Sequence, residues 1–380
     1  MNILIITGSL LGGGTERVSA ILANFLNEKG YVVNIAVFHS NYNKIPYDVN
    51  KNIKIYTLSN SGINSKKSII WKLYYSIVNY YLLNKIIVNN NIKTIISFCN
   101  LPAILLLLLT KRINVISSKR NFPPASSSMN IFLENQIFRL SKVVVFQTIE
   151  QMSFYSNSVQ KKGVVIPNPI LENLPVAYSE KRKNEIVTFC RLNRQKNLTM
   201  LIDGFIKFYE NNDDYKLFIY GDYKLFVSGK LSFKMNSYKN ELEKYIKERQ
   251  MEDVIAIKEF SHNIHNLIID STCFVLTSDY EGLSNSMLEA MAMGLPVICT
   301  DCRGGGAKMF IKNYENGILI PINDREALSR ALVYIVANPE KARKMGKKAS
   351  EIKDTLSQEK ICGKWVEILQ EKERSVFQIG

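Results

Sequence analysis

The stretch Glu281-Gly-Leu-Ser-Asn-Ser-Met-Leu-Glu289-Ala-Met-Ala-Met-Gly294-Leu-Pro296 places two glutamates eight positions apart. A turn led by glycine predicts the start of an apolar helix, and Gly294-Leu-Pro296 predicts its end before a strand at 297–299. The two carboxylates therefore lie beside a helix N-terminus, where backbone N–H groups favour a phosphate. Carboxylates accept hydrogen bonds from hydroxyls, so the pattern indicates a phosphate site between two sugar-like groups. Eight helical residues would rise about 12 Å, roughly the span from a ribose across a diphosphate to a hexose.

Strand-like and helix-like segments alternate on both sides of this stretch, which is typical of parallel sheets covered by helices on both faces. The first half predicts strands at Asn2–Ile6, Val32–Phe38, Ile53–Tyr56, Thr94–Phe98, Asn114–Ser117, Val143–Gln147 and Val164–Ile166. The second half predicts strands at Ile186–Cys190, Lys216–Tyr220, Val254–Ile257, Cys273–Thr277, Val297–Cys299 and Ile318–Ile320. Predicted helices between the strands include Glu16–Glu28, Ser68–Val88, Met129–Leu140 and Asp324–Ala337.

Prolines followed by a charged run predict a boundary near the middle of the chain, at Ile166-Pro-Asn-Pro-Ile170 and Ser179–Glu185. We expect an N-terminal Rossmann-like domain over 1–170 on the acceptor side, a linker over 171–185 and a C-terminal Rossmann-like domain over 186–360. A helix over 361–380 could return to the N-terminal domain. Open α/β sheets bind ligands at the carboxyl ends of their strands, so both doubly wound domains should face a central cleft.

The composition describes a globular protein with a basic N-terminal half. The chain has 380 residues, 46% of them hydrophobic, and a formal charge of +15. Residues 1–175 contribute +12 and the remainder only +3. This asymmetry indicates an anionic surface or substrate next to the first half, such as an anionic membrane leaflet or a lipid-linked pyrophosphate. A solvated lysine-rich surface would give the same count. Nucleic acid is not expected, because no recognition motif is present.

The cysteines and the N-terminus indicate a reducing, cytoplasmic setting. Six scattered cysteines suit small buried residues, and Cys299-Thr-Asp-Cys302 lacks the second pair that a zinc site needs. The N-terminal segment Met1–Thr7 has no charged region or cleavage site of a signal peptide. The longest apolar run, Leu101–Leu109, is too short to span a bilayer. We expect a cytoplasmic protein, bound at most to a membrane surface.

Three further loops follow predicted strands and carry groups suited to an anionic ligand. The first, Gly8–Arg17, contains Gly13 and Gly14 but does not have the spacing of a dinucleotide-binding GxGxxG. The second, Phe189–Leu198, carries Arg191 and Lys196, which supply a bidentate fork and a point charge for a diphosphate. Asn197 could cap the helix that follows. The third is the glycine-rich Asp301–Lys308. Each loop, taken alone, could also be an ordinary turn.

The three histidines form no recognisable catalytic arrangement. His39 ends a predicted strand and could face the cleft, while His262 and His265 are interpreted as surface residues. Neither a Ser–His–Asp order nor HExxH occurs, and no paired aspartates occupy the predicted cleft loops. Nothing in the sequence therefore demands a metal or a cofactor.

The combination of Arg191 and Lys196 with the E-x7-E of Glu281 and Glu289 resembles the retaining, nucleotide-sugar-dependent glycosyltransferases of the GT-B fold. Within them, the chain resembles the group 1 or family 4 enzymes of bacterial polysaccharide and lipopolysaccharide biosynthesis. Weaker matches are Gly13–Val18, Tyr220–Asp222, Ile166–Pro169 and Glu315–Pro321. The resemblance covers essentially the whole chain.

The resemblance implies that Arg191 and Lys196 neutralise the leaving nucleoside diphosphate, whose phosphates are held by amides near Gly282, Leu283, Ser284 and Asn285. Glu289 would accept from the ribose and Glu281 from the transferred sugar. Arg191, Lys196 and Glu281 are thus the predicted catalytic residues, and Gly13 and Gly14 are expected to join the donor site. The implied reaction retains the anomeric configuration, without a protein nucleophile, metal or cofactor.

The implied donor is a nucleotide sugar carrying a hexose or N-acetylhexosamine, with UDP favoured. The implied acceptor is a lipid-linked saccharide of a surface glycan such as lipopolysaccharide, O-antigen or capsule. The helix containing Trp71 carries aromatics bordered by lysines, as an interfacial helix would, although an ordinary core helix could look the same. We therefore expect a peripheral protein at the inner face of the cell membrane. The sugar, the linkage, the oligomeric state and any part played by His39 are left open.

The chain departs from the family pattern at a few positions. Ser284 stands where proline is usual and can cap the helix instead. Glu259 replaces a glycine near the nucleobase, and Ala307 and Met309 replace a proline and a glutamate in a sugar-pocket turn. Lys119 replaces the glutamate of a Ser-Glu-Arg-Asn loop that some members use for N-acetylhexosamines.

Three rival functions share a doubly wound architecture. A nicotinamide-dependent dehydrogenase would need GxGxxG followed by an acidic residue about 20 positions later, and the first loop lacks that spacing. A non-catalytic sugar- or nucleic-acid-binding protein would not require Arg191, Lys196, Glu281 and Glu289 together. A nucleotide-sugar epimerase with the same two-domain shape is the third alternative.

Overall fold

The chain forms two compact units in the computed structural model. The described residues are 1–10, 12–39, 47–58, 69–99, 102–111, 113–122, 128–177, 182–222, 226–227, 230–231 and 233–377. The first unit comprises Met1–Pro169 together with Gln358–Gly380, and the second comprises Ile170–Ser357.

A seven-stranded parallel sheet forms the centre of the first unit. Its strands, in chain order, are β1 (Asn2–Ser9), β2 (Val32–His39), β3 (Lys54–Thr57), β4 (Thr94–Ser97), β5 (Asn114–Lys119), β6 (Val143–Phe146) and β7 (Gly163–Val165). Their order across the sheet is β3-β2-β1-β4-β5-β6-β7. Strand β4 is buried at all four positions and β1 at residues 3–7, because helices cover both faces of the sheet.

Helices pack around this sheet in the described part of the unit. They are α1 (Gly14–Glu28), α2 (Ile69–Asn89), α3 (Pro102–Thr110), α4 (Ser128–Leu140), α5 (Ile149–Ser153), α6 (Asn157–Gln160) and α15 (Gln358–Phe377). Helix α2 packs on α3 and α3 packs on α4, whereas α15 packs on α1. No helix among the described residues combines the length and apolarity needed to cross a membrane.

The second unit contains a six-stranded parallel sheet. Its strands are β8 (Lys183–Arg191), β9 (Lys216–Asp222), β12 (Ile255–Glu259), β13 (Ser271–Leu276), β14 (Val297–Thr300) and β15 (Ile318–Ile320), in the order β12-β9-β8-β13-β14-β15. A separate antiparallel pair joins β10 (Phe226–Val227) to β11 (Lys230–Leu231). Its helices are α7 (Leu198–Tyr209), α8 (Phe233–Lys247), α9 (Ile264–Ile268), α10 (Asn285–Met293), α11 (Gly306–Phe310), α12 (Arg325–Ala337), α13 (Pro339–Ser350) and α14 (Ile352–Thr355).

Both sheets have the doubly wound strand order, in which the chain starts at the centre, builds outward on one side and then crosses to the other. The crossing points lie between β1 and β4 in the first unit and between β8 and β13 in the second. The predicted fold class, α/β with two Rossmann-like domains of GT-B type, is confirmed. The two-residue strands β10 and β11 were not predicted, because a strand of two residues carries no periodic pattern.

The boundary between the two units can be compared with the linker that the sequence predicted. The division lies between Pro169 and Ile170, and β8 begins at Lys183, inside the segment 171–185 that the sequence suggested as a linker. Within that segment, Ala177 N donates to Met293 O at 2.7 Å, which ties it to the end of α10. The C-terminal helix belongs to the first unit. Part of the predicted linker, 178–181, and Ser68 of the predicted second helix lie outside the described residues.

Candidate functional site

The candidate site lies at the carboxyl edge of the second sheet, where the strand order reverses between β8 and β13. The turn after β8 and the segment after β13 are held side by side. Asp279 N donates to Gln195 O at 2.9 Å, and Gln195 Nε2 donates to Tyr280 O at 2.6 Å. Thr277 Oγ1 donates to Lys196 O at 2.9 Å. Loops at such a switch point are the expected ligand site of an open α/β sheet.

Asn197 fixes the path of the chain into α7. Its backbone has a φ of 44°, in the left-handed region that asparagine tolerates better than most residues. Its side chain accepts from Met200 N, which caps α7 as predicted, and its Nδ2 donates to Asp279 Oδ1 at 2.7 Å. One residue thus sets the turn, starts the helix and anchors the segment that follows β13.

Lys196 and Glu281 form a buried ion pair between these two segments. Their side chains are 9% and 13% exposed, and Ser278 Oγ donates to Glu281 Oε1 at 2.8 Å. Burial acts to lower the pKa of Lys196, but the adjacent Glu281 carboxylate outweighs it and raises that pKa above its ordinary value. The lysine is therefore a cation, and its ion pair with Glu281 holds it at the switch point.

Arg191 and the glycine turn lie on either side of this pair. Arg191 ends β8 and is exposed, with its guanidinium available to solvent. Gly282 and Leu283 lead into α10, whose first helical residue is Asn285. Ser284 caps that helix by accepting from Met287 N, so the capping role predicted for this serine is confirmed. The start of α10 is where the sequence predicted that backbone N–H groups bind an anion, and this binding stays a prediction.

The glycine-rich loop after β14 packs directly on this turn. Glu281 N donates to Arg303 O at 3.0 Å. A Cβ built on Gly306 would lie 2.3 Å from Gly282 O, closer than real Cβ atoms approach another atom, and 3.0 Å from Leu283 Cα. Glycine at 306 is thus required for the close approach of the two backbones. Ala307, predicted to alter the sugar-pocket turn, is buried, whereas Met309 is exposed.

Glu289 has a partner that the sequence did not suggest. Its side chain is 5% exposed, and its Oε2 lies 2.7 Å from His265 Nε2. The interpretation of His265 as a surface residue is wrong, since its side chain is only 17% exposed. The available signal was its position after β12, because segments that follow parallel strands meet at one edge of the sheet. His262 is exposed as expected.

In the first unit, the loop that carries Gly13 and Gly14 is folded around Glu16. The Glu16 carboxylate accepts from Ser9 Oγ and from Gly12 N, the latter at 2.9 Å. Tyr47 Oη lies 2.8 Å from Gly13 N and 2.9 Å from Gly13 O. These bonds order the loop at the start of α1. A donor-binding role for Gly13 and Gly14 stays a prediction, and the side chain of His39 lies outside the described residues.

A buried cation occupies the carboxyl edge of the first sheet. Arg120 Nη1 donates to Asn168 Oδ1 at 3.0 Å and to Ile166 O at 3.3 Å, while its guanidinium lies 5.3 Å from the Phe98 ring and 5.6 Å from the Trp365 ring. Its Nε and Nη2 have no hydrogen-bond partner among the described residues. Burial lowers the pKa of Arg120 to about 9. The preceding residue, Lys119, forms a separate ion pair with Glu134 at 2.7 Å.

The described part of the chain contains no group of three or more histidine, cysteine, aspartate or glutamate side chains able to hold a metal ion. All six cysteines are free.

Comparison with known proteins shows similarity to glycosyltransferases. Residues 172–352 match the family model of the glycosyl transferases group 1. The amylovoran biosynthesis glycosyltransferase AmsD of Erwinia amylovora is 25% identical over 97% of this chain and 99% of its own length. An N-acetylgalactosamine-N,N'-diacetylbacillosaminyl-diphospho-undecaprenol 4-alpha-N-acetylgalactosaminyltransferase of Campylobacter jejuni is 24% identical over 67% of this chain and 63% of its own length.

A solved structure agrees in fold. The crystal structure of Anabaena HepE in complex with UDP and glucose has a TM-score of 0.77 at 17% identity, over 97% of this chain and 99% of that one. The two doubly wound units, the site at the β8/β13 switch point and the family match together define a glycosyltransferase. The chain has the fold of GT-B glycosyltransferases, and its residues 172–352 match the group 1 family.

Proposed function

We propose that this glycosyltransferase moves a hexose or N-acetylhexosamine from a nucleotide sugar, with UDP favoured, to a lipid-linked surface glycan, with retention of anomeric configuration. The observation that carries the proposal is the buried pair of Lys196 and Glu281 just before α10, together with the buried Glu289 on α10 itself. A buried cation, a helix end and two carboxylates are what a sugar nucleotide requires: charge for the diphosphate and acceptors for the hydroxyls on either side.

Each of these side chains has a defined role in the proposed reaction. The diphosphate binds at the N-terminus of α10 and is neutralised by Lys196 and by the exposed Arg191. Glu289 accepts from the ribose, and Glu281 accepts from the hydroxyls of the transferred sugar while holding Lys196 in place. Negative charge grows on the leaving phosphate as the glycosidic bond breaks, so the two cations stabilise the transition state more than the ground state.

The reaction as proposed needs the nucleotide sugar and the acceptor, and no cofactor. The departing phosphate oxygen takes the proton of the acceptor hydroxyl, so no protein nucleophile is needed. The charge that a metal ion would neutralise is assigned to Lys196 and Arg191, so transfer should be unaffected by a chelator.

The proposed acceptor is supported by two relatives and by the surface of the first unit. AmsD is named for biosynthesis of the polysaccharide amylovoran, and the Campylobacter enzyme for a diphospho-undecaprenol acceptor. The sequence between Asp48 and Glu150 contains thirteen lysines and arginines and one acidic residue, Glu134. An anionic, lipid-linked acceptor and the inner face of the cell membrane both fit this excess of positive charge.

The helices α2, α3 and α4 carry an exposed apolar surface, here named the aromatic face, which suits that membrane. Its members are large hydrophobic side chains open to solvent: Trp71, Leu73, Tyr74, Ile77, Tyr81, Leu109 and Phe132. Trp71 and Tyr81 are 51% and 65% exposed. On α2 the spacing of three and four residues keeps Trp71, Tyr74, Ile77 and Tyr81 on one side of the helix, and exposed lysines such as Lys85 and Lys111 border the face.

Transfer is tested by mass-spectrometric detection of product from a panel of nucleotide sugars and a membrane-lipid extract. Lys196→Ala is expected to lower the rate by about 10²–10³, and Glu289→Ala to weaken donor binding. Lys207→Ala is the matched control, because Lys207 pairs with Glu326 on the exposed surface of the same unit. Wild-type turnover in both site variants, or products with inverted configuration, would contradict the proposal.

Membrane attachment is tested separately with vesicles. Wild-type protein should bind vesicles that contain phosphatidylglycerol, less so as salt rises, and should bind phosphatidylcholine vesicles weakly. The double variant Trp71→Ser/Tyr81→Ser should lose most of this binding, whereas Ile322→Ser, an exposed apolar residue of the second unit, should not. Equal binding to both lipids, or none to either, would rule out the proposed location.

A further inference from the structure

Both glutamates of the E-x7-E are held by a basic side chain from another segment. Glu281 is held by Lys196, which the sequence predicted to contact the diphosphate. Glu289 is held by His265, at 2.7 Å between Oε2 and Nε2. The residue Glu289 is only 3% exposed, and a carboxylate that is so far removed from water requires a hydrogen-bond donor.

The chemistry of the two groups fixes the direction of this bond. When Glu289 is ionised, its carboxylate has only acceptor atoms, and His265 Nε2 then carries the hydrogen and donates it to Glu289 Oε2. This holds both for the neutral imidazole with its hydrogen on Nε2 and for the imidazolium. The bond therefore selects one orientation of the carboxylate plane about the last torsion of the glutamate, which is otherwise a broad, soft torsion.

His265 is itself held in place from two sides. It lies on the short helix α9, between Ile264 and Ile268, whose side chains are fully buried in the second unit. The Phe189 ring stands edge-on to the imidazole, with 5.9 Å between centroids, and packs in turn on Phe274 at 5.3 Å. The backbone and the ring of His265 are both held in place, so its Nε2 has a defined position beside the Glu289 carboxylate.

We infer that His265 is a positioning residue for the nucleotide of the donor. It orients Glu289 so that the carboxylate meets the ribose hydroxyls, and it touches neither the diphosphate nor the transferred sugar. This inference rests on the proposed function, in which Glu289 binds the ribose. It adds a residue from the segment after β12 to a site built from the segments after β8 and β13.

The test measures binding of two nucleotides to three proteins by calorimetry. His265→Leu removes the donor and is expected to weaken UDP binding about tenfold, because a bond to a charged group is lost. His265→Gln, whose side-chain amide restores a donor at similar reach, is expected to bind UDP within about twofold of wild type. With 2′,3′-dideoxy-UDP, which lacks the hydroxyls that Glu289 would bind, wild type and His265→Leu should bind within about twofold of each other.

This dependence on the ribose hydroxyls separates positioning from a purely structural role. A general loosening of the second unit would weaken both nucleotides equally and would not be rescued by glutamine, and either result would overturn the inference. His262→Leu is the matched control, since His262 is exposed beside Phe260 and should leave both affinities unchanged. Should His265→Leu fail to fold, His265→Asn, whose amide is too short to reach Glu289, takes its place in the comparison.

The experiment distinguishes a failure of the proposed function from a failure of the inference about His265. If wild-type protein binds UDP and dideoxy-UDP equally and Glu289→Gln does not change either, the assignment of the ribose to Glu289 is wrong, and the inference falls with it. If Glu289→Gln weakens UDP selectively but His265→Leu does not, only the inference is overturned. At saturating donor, the turnover of His265→Leu should stay within about threefold of wild type, because the lost contact acts on binding.

Discussion

Lys196 and Glu281 form an ion pair that joins the turn after β8 to the turn after β13, with side chains 9% and 13% exposed. The two residues are 85 positions apart in the sequence. Each charge has been removed from water and depends on the other for compensation. The pair therefore has a structural role in addition to its proposed roles in catalysis, and the two can be separated by experiment.

Removing one partner should be more destabilising than removing both. Lys196→Met or Glu281→Leu alone leaves an uncompensated buried charge and is expected to lower the free energy of unfolding by about 3–5 kcal/mol. The double variant Lys196→Met/Glu281→Leu should recover most of that loss, because no charge is left buried. Urea unfolding of the four proteins provides the measurement, and simple additivity of the two single losses would argue against a coupled pair.

The same pair predicts a loss of stability in alkali. The pKa of Lys196 is raised in the folded protein, so its contribution is complete below the ordinary lysine value of 10.5 and declines as pH rises through the higher folded value. Between these two pKa values the unfolded chain has released the proton while the folded protein still holds it. The free energy of unfolding of wild type should therefore fall more steeply above about pH 10.5 than that of the Lys196→Met/Glu281→Leu variant. Parallel pH curves for the two proteins would contradict this.

Gly306 should be intolerant of even one added carbon. Gly306→Ala places a methyl group against the backbone of Gly282 and Leu283, which must shift away from the start of α10. We expect the thermal stabilisation by UDP to be lost, with a fall of about 1–3 kcal/mol in the free energy of unfolding. Gly363→Ala is the matched control, because its added carbon meets no atom within 4 Å. Equal UDP stabilisation in the two variants would show that this turn does not hold the nucleotide.

Arg120 gives a test of what holds the C-terminal helix to the first sheet. Arg120→Ala removes the side chain that lies against Phe98 and Trp365 and is expected to cost about 3 kcal/mol in unfolding free energy. Arg120→Met keeps much of that packing and removes a buried cation, so its cost should be at least about 1 kcal/mol smaller. If methionine is as costly as alanine, the hydrogen bonds to Ile166 and Asn168 carry the stability instead of the packing. Urea unfolding distinguishes the two cases.

The cysteines should be unreactive in the folded protein. Burial raises the pKa of Cys190 to about 11 and those of Cys99, Cys273 and Cys302 to about 12, so little thiolate is present at pH 8. A thiol reagent at pH 8 should label none of the six rapidly under native conditions and all six after denaturation. Rapid native labelling of Cys299 and Cys302 as a pair would instead indicate a redox-active CxxC.

The sequence allowed much of the fold and part of the site to be predicted, for identifiable reasons. Apolar runs alternating with amphipathic segments predict parallel sheets, and the caps Asn197 and Ser284 are readable because capping depends on neighbouring residues. The ion pair of Lys196 was not predicted, because its partner lies 85 positions away in the turn after β13 and the pairing arises only when the sheet forms. His265 was missed for the same reason: a single histidine on a five-residue helix has no periodic signature.

The first unit is assembled from two segments that the second unit separates in the sequence, and this has a consequence for synthesis on the ribosome. The second unit, Ile170–Ser357, is continuous and can complete its core as soon as it leaves the exit tunnel. The first unit begins to emerge earlier but lacks α15, whose fully buried Trp365 packs on Phe98. The nascent first unit must therefore keep that apolar surface unfilled until α15 has been synthesised. We expect premature termination before Gln358 to yield a chain whose second unit is folded and whose first unit is prone to aggregate.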